Sequence, residues 1–183
     1  MAYIKQTQGR DYPYLYNVNA AVGQRKAMYQ SGGSGAFYTG TYLPNNRDDV
    51  MLVQYLLKRV YQRGGSMQLN PNAGSAWGST QGSNITEINI DGLWGPKTQS
   101  AIEQFQLEVA HAGRSIATDG AVDKEEGNSP YSSISHTGYT ISWLNRCFWL
   151  LYPDLAPHLW ADPHCPAELR NSLICSTASA ATA

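Results

Sequence analysis

Apolar residues recur at helical spacing in three stretches of the chain. Val53, Leu56, Leu57 and Val60 fall at i, i+3, i+4 and i+7, which predicts a helix from Asp49 to Arg63. Asp48 is placed to cap it, Asp49 suits the positive helix start, and Gly64-Gly65 ends it. Ala101, Ile102, Phe105 and Val109 form a second apolar face, on a helix that opens at Pro96 and closes near His111-Ala112-Gly113. Ile141, Leu144, Phe148 and Leu151 mark a third helix, about Tyr139 to Tyr152, stopped by Pro153. Beyond it, a short helix from Pro166 would turn Leu169 and Leu173 inward, and Ser176 to Ala183 reads as frayed.

The remaining segments lack that period. Residues 1–47 hold seven scattered tyrosines and the run Ser31-Gly32-Gly33-Ser34-Gly35, and Pro13 confines the strand-forming stretch around Tyr12 to an edge. They read as an extended N-terminal arm that needs another surface to pack on. Met67 to Asn89, with Trp77 in the middle, and Lys124 to Gly138 read as long polar insertions. The expected division is an arm over 1–47, a helical domain over 48–152 and a C-terminal extension over 153–183.

Composition sharpens this picture. Only 15% of the 183 residues are charged, against roughly a quarter in an average globular chain, while Tyr numbers 12 and Trp 5. Such a neutral, aromatic surface suits carbohydrate contact or burial against other subunits. A net charge of −1 argues against nucleic acid as a partner. Met1 to Gly9 has no apolar core of a signal peptide, and the densest apolar run, Trp143 to Tyr152, is far shorter than the ~20 residues of a membrane span. Synthesis in the cytoplasm without an export signal, and no membrane span, are therefore expected. Cys147, Cys165 and Cys175 are odd in number, so reduced buried thiols rather than a disulfide framework are expected.

The second helix carries the most specific string. Asp91-Gly92-Leu93-Trp94-Gly95-Pro96-Lys97-Thr98, continuing through Ala101-Ile102 to Phe105-Gln106, resembles the D-G-x-(F/W)-G-x-x-T-x-x-A-(V/I)-x-x-F-Q signature of small helical peptidoglycan-binding domains. Val50, Val53-Gln54 and Leu57 are similar to the V-x-x-L-Q-x-x-L pattern that opens the same family, with Val53 in place of the usual Leu. Asp119-Gly120-Ala121-Val122-Asp123 resembles a second such turn, with Asp123 where Gly is usual. The resemblance spans residues 48–152 and implies a mainly α, three-helix domain built from two turn-helix units, here with two loop insertions.

The resemblance also implies a ligand site near the turns. Asp91 and Asp119 offer carboxylate acceptors, Trp94 a flat apolar face, and Gly92 and Gly120 allow close backbone approach; Thr98 is the threonine of the motif. These six residues are the candidate binding set. No catalytic residue, metal ligand or cofactor is assigned. His158, His164, Cys165 and Cys175 lack zinc-site spacing. Glu87, Glu103, Glu108, Glu125 and Glu126 read as solvated carboxylates, and Cys147 as a core residue.

The expected function is non-catalytic binding of peptidoglycan. Because no export signal is visible, carriage on a phage-tail or contractile-injection particle, held to neighbouring subunits through the arm, is the expected context. A purely structural subunit that keeps the fold without binding glycan, and a cell-wall lytic enzyme, are the alternatives.

Overall fold

A computed structural model describes residues 1–7, 10, 12, 14–26, 40–65 and 84–180, with side chains to residue 175. Pro13, the Ser31–Gly35 run and most of the first insertion, Trp77 included, lie outside the described residues. The order of elements is β1 (Tyr3–Gln6), β2 (Tyr14–Asn17), β3 (Val22–Arg25), β4 (Thr41–Tyr42), α1 (Arg47–Gln62), a 3-10 turn (Asn84–Glu87), α2 (Pro96–His111), β5 (Ala121–Val122), α3 (Thr140–Leu151), a 3-10 segment (Ala156–Ala161) and α4 (Ala167–Ala180). The architecture is helix-rich with a small amount of antiparallel sheet. β1 pairs with β2, and β3 lies between β4 and β5.

Helix α1 is central. Its i, i+3, i+4 pattern predicts one inward face, yet every residue from Asp49 to Leu57 is buried. Helices α2, α3 and α4, the first 3-10 turn and β3 surround it. The helix begins two residues before the expected start, and its N-cap is Asn46 rather than Asp48. Asp49, in the first turn, is fully buried. Its carboxylate accepts the Asn19 and Ala20 backbone N–H groups at 2.9 and 3.1 Å, which satisfies the charge as burial requires.

The second and third helices keep the expected registers. Ala101, Ile102, Phe105 and Val109 of α2, and Ile141, Leu144, Phe148 and Leu151 of α3, all join one core. Helix α2 starts at Pro96, with Gly95 as its N-cap. Leu169 and Leu173 of α4 face inward, but α4 runs on to Ala180, past the expected end at Cys175.

The N-terminal segment departs most from expectation. Its described part up to residue 26 is not an extended arm. Leu15, Tyr16, Val18 and Val22 have no exposed surface, and Tyr16, Val18 and Val22 belong to the same core as the helices. The physical reason is long-range pairing. Asn145 of α3 accepts the Tyr16 N–H at 2.9 Å and donates to the Tyr16 carbonyl at 2.9 Å, so a side chain completes the open edge of β2. The Tyr16 hydroxyl donates to the Ala156 carbonyl at 2.6 Å. Asn145, which interrupts the apolar run of α3, is thus the residue that docks β2.

Candidate functional site

The two Asp-Gly turns are built alike. At the first, Gly92 has φ +72°, and Asp91 Oδ1 accepts the Leu93 N–H at 2.9 Å, closing an Asx turn. Gln54 reaches this turn from the buried helix α1. Its Oε1 accepts the Gly92 N–H at 2.9 Å and the Asp91 N–H at 3.2 Å. Its Nε2 donates to the Leu93 carbonyl at 3.0 Å and to Thr98 Oγ1 at 3.1 Å. One amide thereby ties α1, the turn and the first turn of α2 together.

At the second, Gly120 has φ +78°, and Asp119 Oδ1 accepts the Ala121 N–H at 3.0 Å. Gln106, from α2, accepts the Gly120 N–H at 2.8 Å and donates to the Ala121 carbonyl at 2.8 Å and Thr140 Oγ1 at 2.9 Å. Gln54 and Thr98 of the first unit thus match Gln106 and Thr140 of the second. The turn-helix repeat is a physical one, with the same four roles filled twice. Both glutamines stand in the quoted sequence patterns, so the signal was present, but their role as turn clasps was not legible from it.

The six candidates fare differently. Gly92, Gly120 and Thr98 are buried. A Cβ on Gly92 would lie 2.7 Å from the Arg47 carbonyl oxygen, and one on Gly120 would lie 2.8 Å from that of Gln24. The close approach these glycines permit is that of the protein's own backbone. Asp119 is engaged: besides closing its turn, its Oδ2 lies 3.4 Å from the Arg25 guanidinium. Asp91 and Trp94 remain half-exposed, and Asp91 Oδ2 has no partner among the described residues.

Around Trp94 the surface is aromatic. Tyr42 meets its ring edge-on with centroids 5.5 Å apart, and Tyr42 and the adjacent Leu93 are 69% and 68% exposed. The indole is fixed, because its N–H donates to Gln99 Oε1 at 3.2 Å. Gln99 in turn accepts the Gln24 N–H at 2.8 Å and donates to Glu103 at 2.8 Å. A charged rim flanks this patch, with Lys26 on Glu103 at 2.6 Å and Arg25 bound to Asp123. Burial pushes the Asp123 carboxyl above its usual range; Arg25 opposes that rise and Asp119 adds to it. Tyr42 was not among the sequence candidates, since β4 is only two residues long.

Glu125 corrects the expectation of a solvated carboxylate. It is buried, with Arg10 donating to its two oxygens at 2.7 and 2.8 Å, Lys5 at 3.4 Å and the Ser142 hydroxyl also bound. Lys5 and Arg10 come from the segment expected to be a free arm. Glu108 is engaged as well, accepting the Tyr61 hydroxyl at 2.7 Å. Among the described residues no group of three or more His, Cys, Asp or Glu is placed to hold a metal ion. Cys147 and Cys165 are buried free thiols whose pKa is pushed by burial up to about 12, and Cys175 is exposed. No helix among the described residues is long and apolar enough to cross a membrane.

No protein-family model, no curated protein and no solved structure matches this chain.

Proposed function

We propose that the chain is a non-catalytic binding module for peptidoglycan, with the glycan seated on the face formed by Tyr42, Leu93 and Trp94. One observation carries this reading. The first Asp-Gly turn holds an immobilised, half-exposed indole beside an exposed tyrosine and leucine, with an unengaged carboxylate oxygen of Asp91 close in sequence. Sugar rings stack on such faces, and their hydroxyls donate to such acceptors. The binding set is thereby narrowed to Asp91 and Trp94 from the sequence candidates, joined by Tyr42 and Leu93.

Co-sedimentation with purified peptidoglycan tests it. The wild type is expected in the pellet. Tyr42→Ala with Trp94→Ala is expected to weaken retention about 5- to 150-fold, the equivalent of roughly 1–3 kcal/mol for two aromatic contacts. A folded double variant that pellets as well as the wild type overturns this placement of the site, and a wild type that stays in the supernatant overturns the function.

The second reading, a structural subunit that binds no glycan, is favoured by the complete clasping of both turns by Gln54 and Gln106. That gives the motif a full role in folding alone. The further placement on a phage-tail or injection particle leaned on a free N-terminal arm. The packing of Tyr16, Val18 and Val22 into the core withdraws that ground.

A further inference from the structure

The second Asp-Gly turn shows what the outer side of such a turn can hold. The Ala121 N–H and carbonyl are taken from within, by Asp119 Oδ1 and by Gln106. Extended residues present their main-chain groups to alternate sides, so those of Val122 face the other way. There β3 lies antiparallel, with Val22 opposite Val122 and Gly23 opposite Ala121. The position of Gly23 demands glycine. Its φ is +116°, and a Cβ there would strike the Gly120 carbonyl oxygen.

The first turn repeats this arrangement up to the last step. The Leu93 N–H and carbonyl are taken from within, by Asp91 Oδ1 and by Gln54. Trp94 holds the place of Val122, half-exposed and followed by the extended Gly95. Its N–H and carbonyl have no hydrogen-bond partner among the described residues. An open main-chain edge of this kind is what an added strand pairs with. The length of that strand is bounded. Arg47 presents its carbonyl to Gly92 as Gln24 presents its own to Gly120. A strand running as β3 does must therefore end, or turn away, past the residue opposite Leu93.

We propose that the main-chain edge at Trp94 binds the C-terminal end of an extended peptide as an antiparallel strand, with an apolar residue opposite Trp94 and glycine opposite Leu93. The pairing lies in the plane of the backbone, whereas the glycan face is made of side chains that stand out of that plane. The two can be occupied together, and each can fail without the other.

The test is a titration of the full chain with acetyl-Ala-Ala-Val-Gly-amide, the sequence of residues 20–23, followed at the Trp94 backbone amide resonance. A saturable downfield shift of that proton is expected. The same peptide N-methylated at its valine cannot donate to the Trp94 carbonyl and is expected to bind about 5- to 10-fold more weakly. Alanine in place of its glycine is expected to weaken binding about 10-fold or more. Trp94→Ala keeps both main-chain groups and is expected to retain the peptide within about 3-fold, because main-chain bonds supply the affinity. Trp94→Pro removes the N–H and is expected to abolish binding; if it does not fold, the N-methylated peptide carries the test. The proposal is overturned if the peptide gives no saturable shift, if the three peptides bind alike, if folded Trp94→Ala loses the peptide, or if folded Trp94→Pro binds as the wild type does. A chain that binds the peptide without pelleting with peptidoglycan supports this edge and overturns only the glycan reading.

Discussion

The two Asp-Gly turns share a clasp and differ in what lies outside it. The second is covered. β3 pairs with Ala121 and Val122, the Lys26 N–H donates to the Asp119 carbonyl at 2.8 Å, and Arg25 sits on the Asp119 carboxylate. Among the described residues the first carries no strand on its outer side, and Leu93 and Trp94 look out beside Tyr42. Identical internal chemistry therefore supports two fates for one motif. Where β3 overlies the turn, the aspartate becomes a fastening. Where it does not, the residues after the glycine form a surface. The Asp-Gly string fixes the turn, and a strand about a hundred residues earlier in the chain decides which turn is open.

The largest expected effect separates the clasps. Gln106→Ala strands the Gly120 N–H in a buried site and leaves the Ala121 carbonyl only the Thr140 hydroxyl at 3.3 Å; at about 1–3 kcal/mol for an unpaired buried group, with the weakened carbonyl added, a loss of about 2–4 kcal/mol is expected. Gln54→Ala strands one buried N–H as well, that of Gly92, but the Asp91 and Leu93 groups it also frees lie nearer solvent and are rehydrated, so about 1–3 kcal/mol is expected. Urea denaturation of both variants measures the gap, and equal losses would show that the turns are equally sheltered.

Gly92→Ala and Gly120→Ala come next. Each puts a Cβ at positive φ and against a carbonyl oxygen, and about 2 kcal/mol or more is expected for both by thermal melts. This pair checks the shared part of the comparison, and a tolerated alanine at either position would break the equivalence.

The smallest effect concerns the cover over the second turn. The Asp123 carboxyl is held above its usual range, so its ionised form is disfavoured in the folded chain. Stability from this group is therefore full below the unfolded carboxylate pKa and is lost as pH rises through the folded value. Asp123→Asn is expected to raise the melting temperature slightly at neutral pH and to leave it unchanged in acid below the carboxylate range. An opposite ordering would mean that the Arg25 pair outweighs the burial.

The parts of the fold legible in the sequence are those whose causes are local. The start of α2 at Pro96 and the inward set Ala101, Ile102, Phe105 and Val109 follow from a proline and a 3.6-residue period, and both stand in the structure. What was not legible depends on partners far along the chain. Glu125 sits in a polar loop by sequence, and only Lys5 and Arg10, more than a hundred positions away, make it a buried anchor. Tyr14–Asn17 lacks the length and alternation of a confident strand, because Asn145 rather than a neighbouring strand satisfies its outer edge. In the candidate set, Trp94 was readable from the motif, whereas Tyr42 reaches the same face only through the β3–β4 pairing.

The docking of β2 by Asn145 has a consequence for how the chain is made. Tyr16 and Asn145 are 129 positions apart, and at about 5–20 residues per second the ribosome needs roughly 6–26 s to deliver the partner once Tyr16 has been added. The closing bond from Ser172 to the Ala2 carbonyl spans 170 positions and forms later still. Until then β1 and β2 are an isolated two-stranded ribbon, which is marginal in water and offers an unpaired edge to any other strand nearby. The earliest-synthesised strands are thus the last to be secured, and the nascent chain is most exposed to mispairing before α3 emerges.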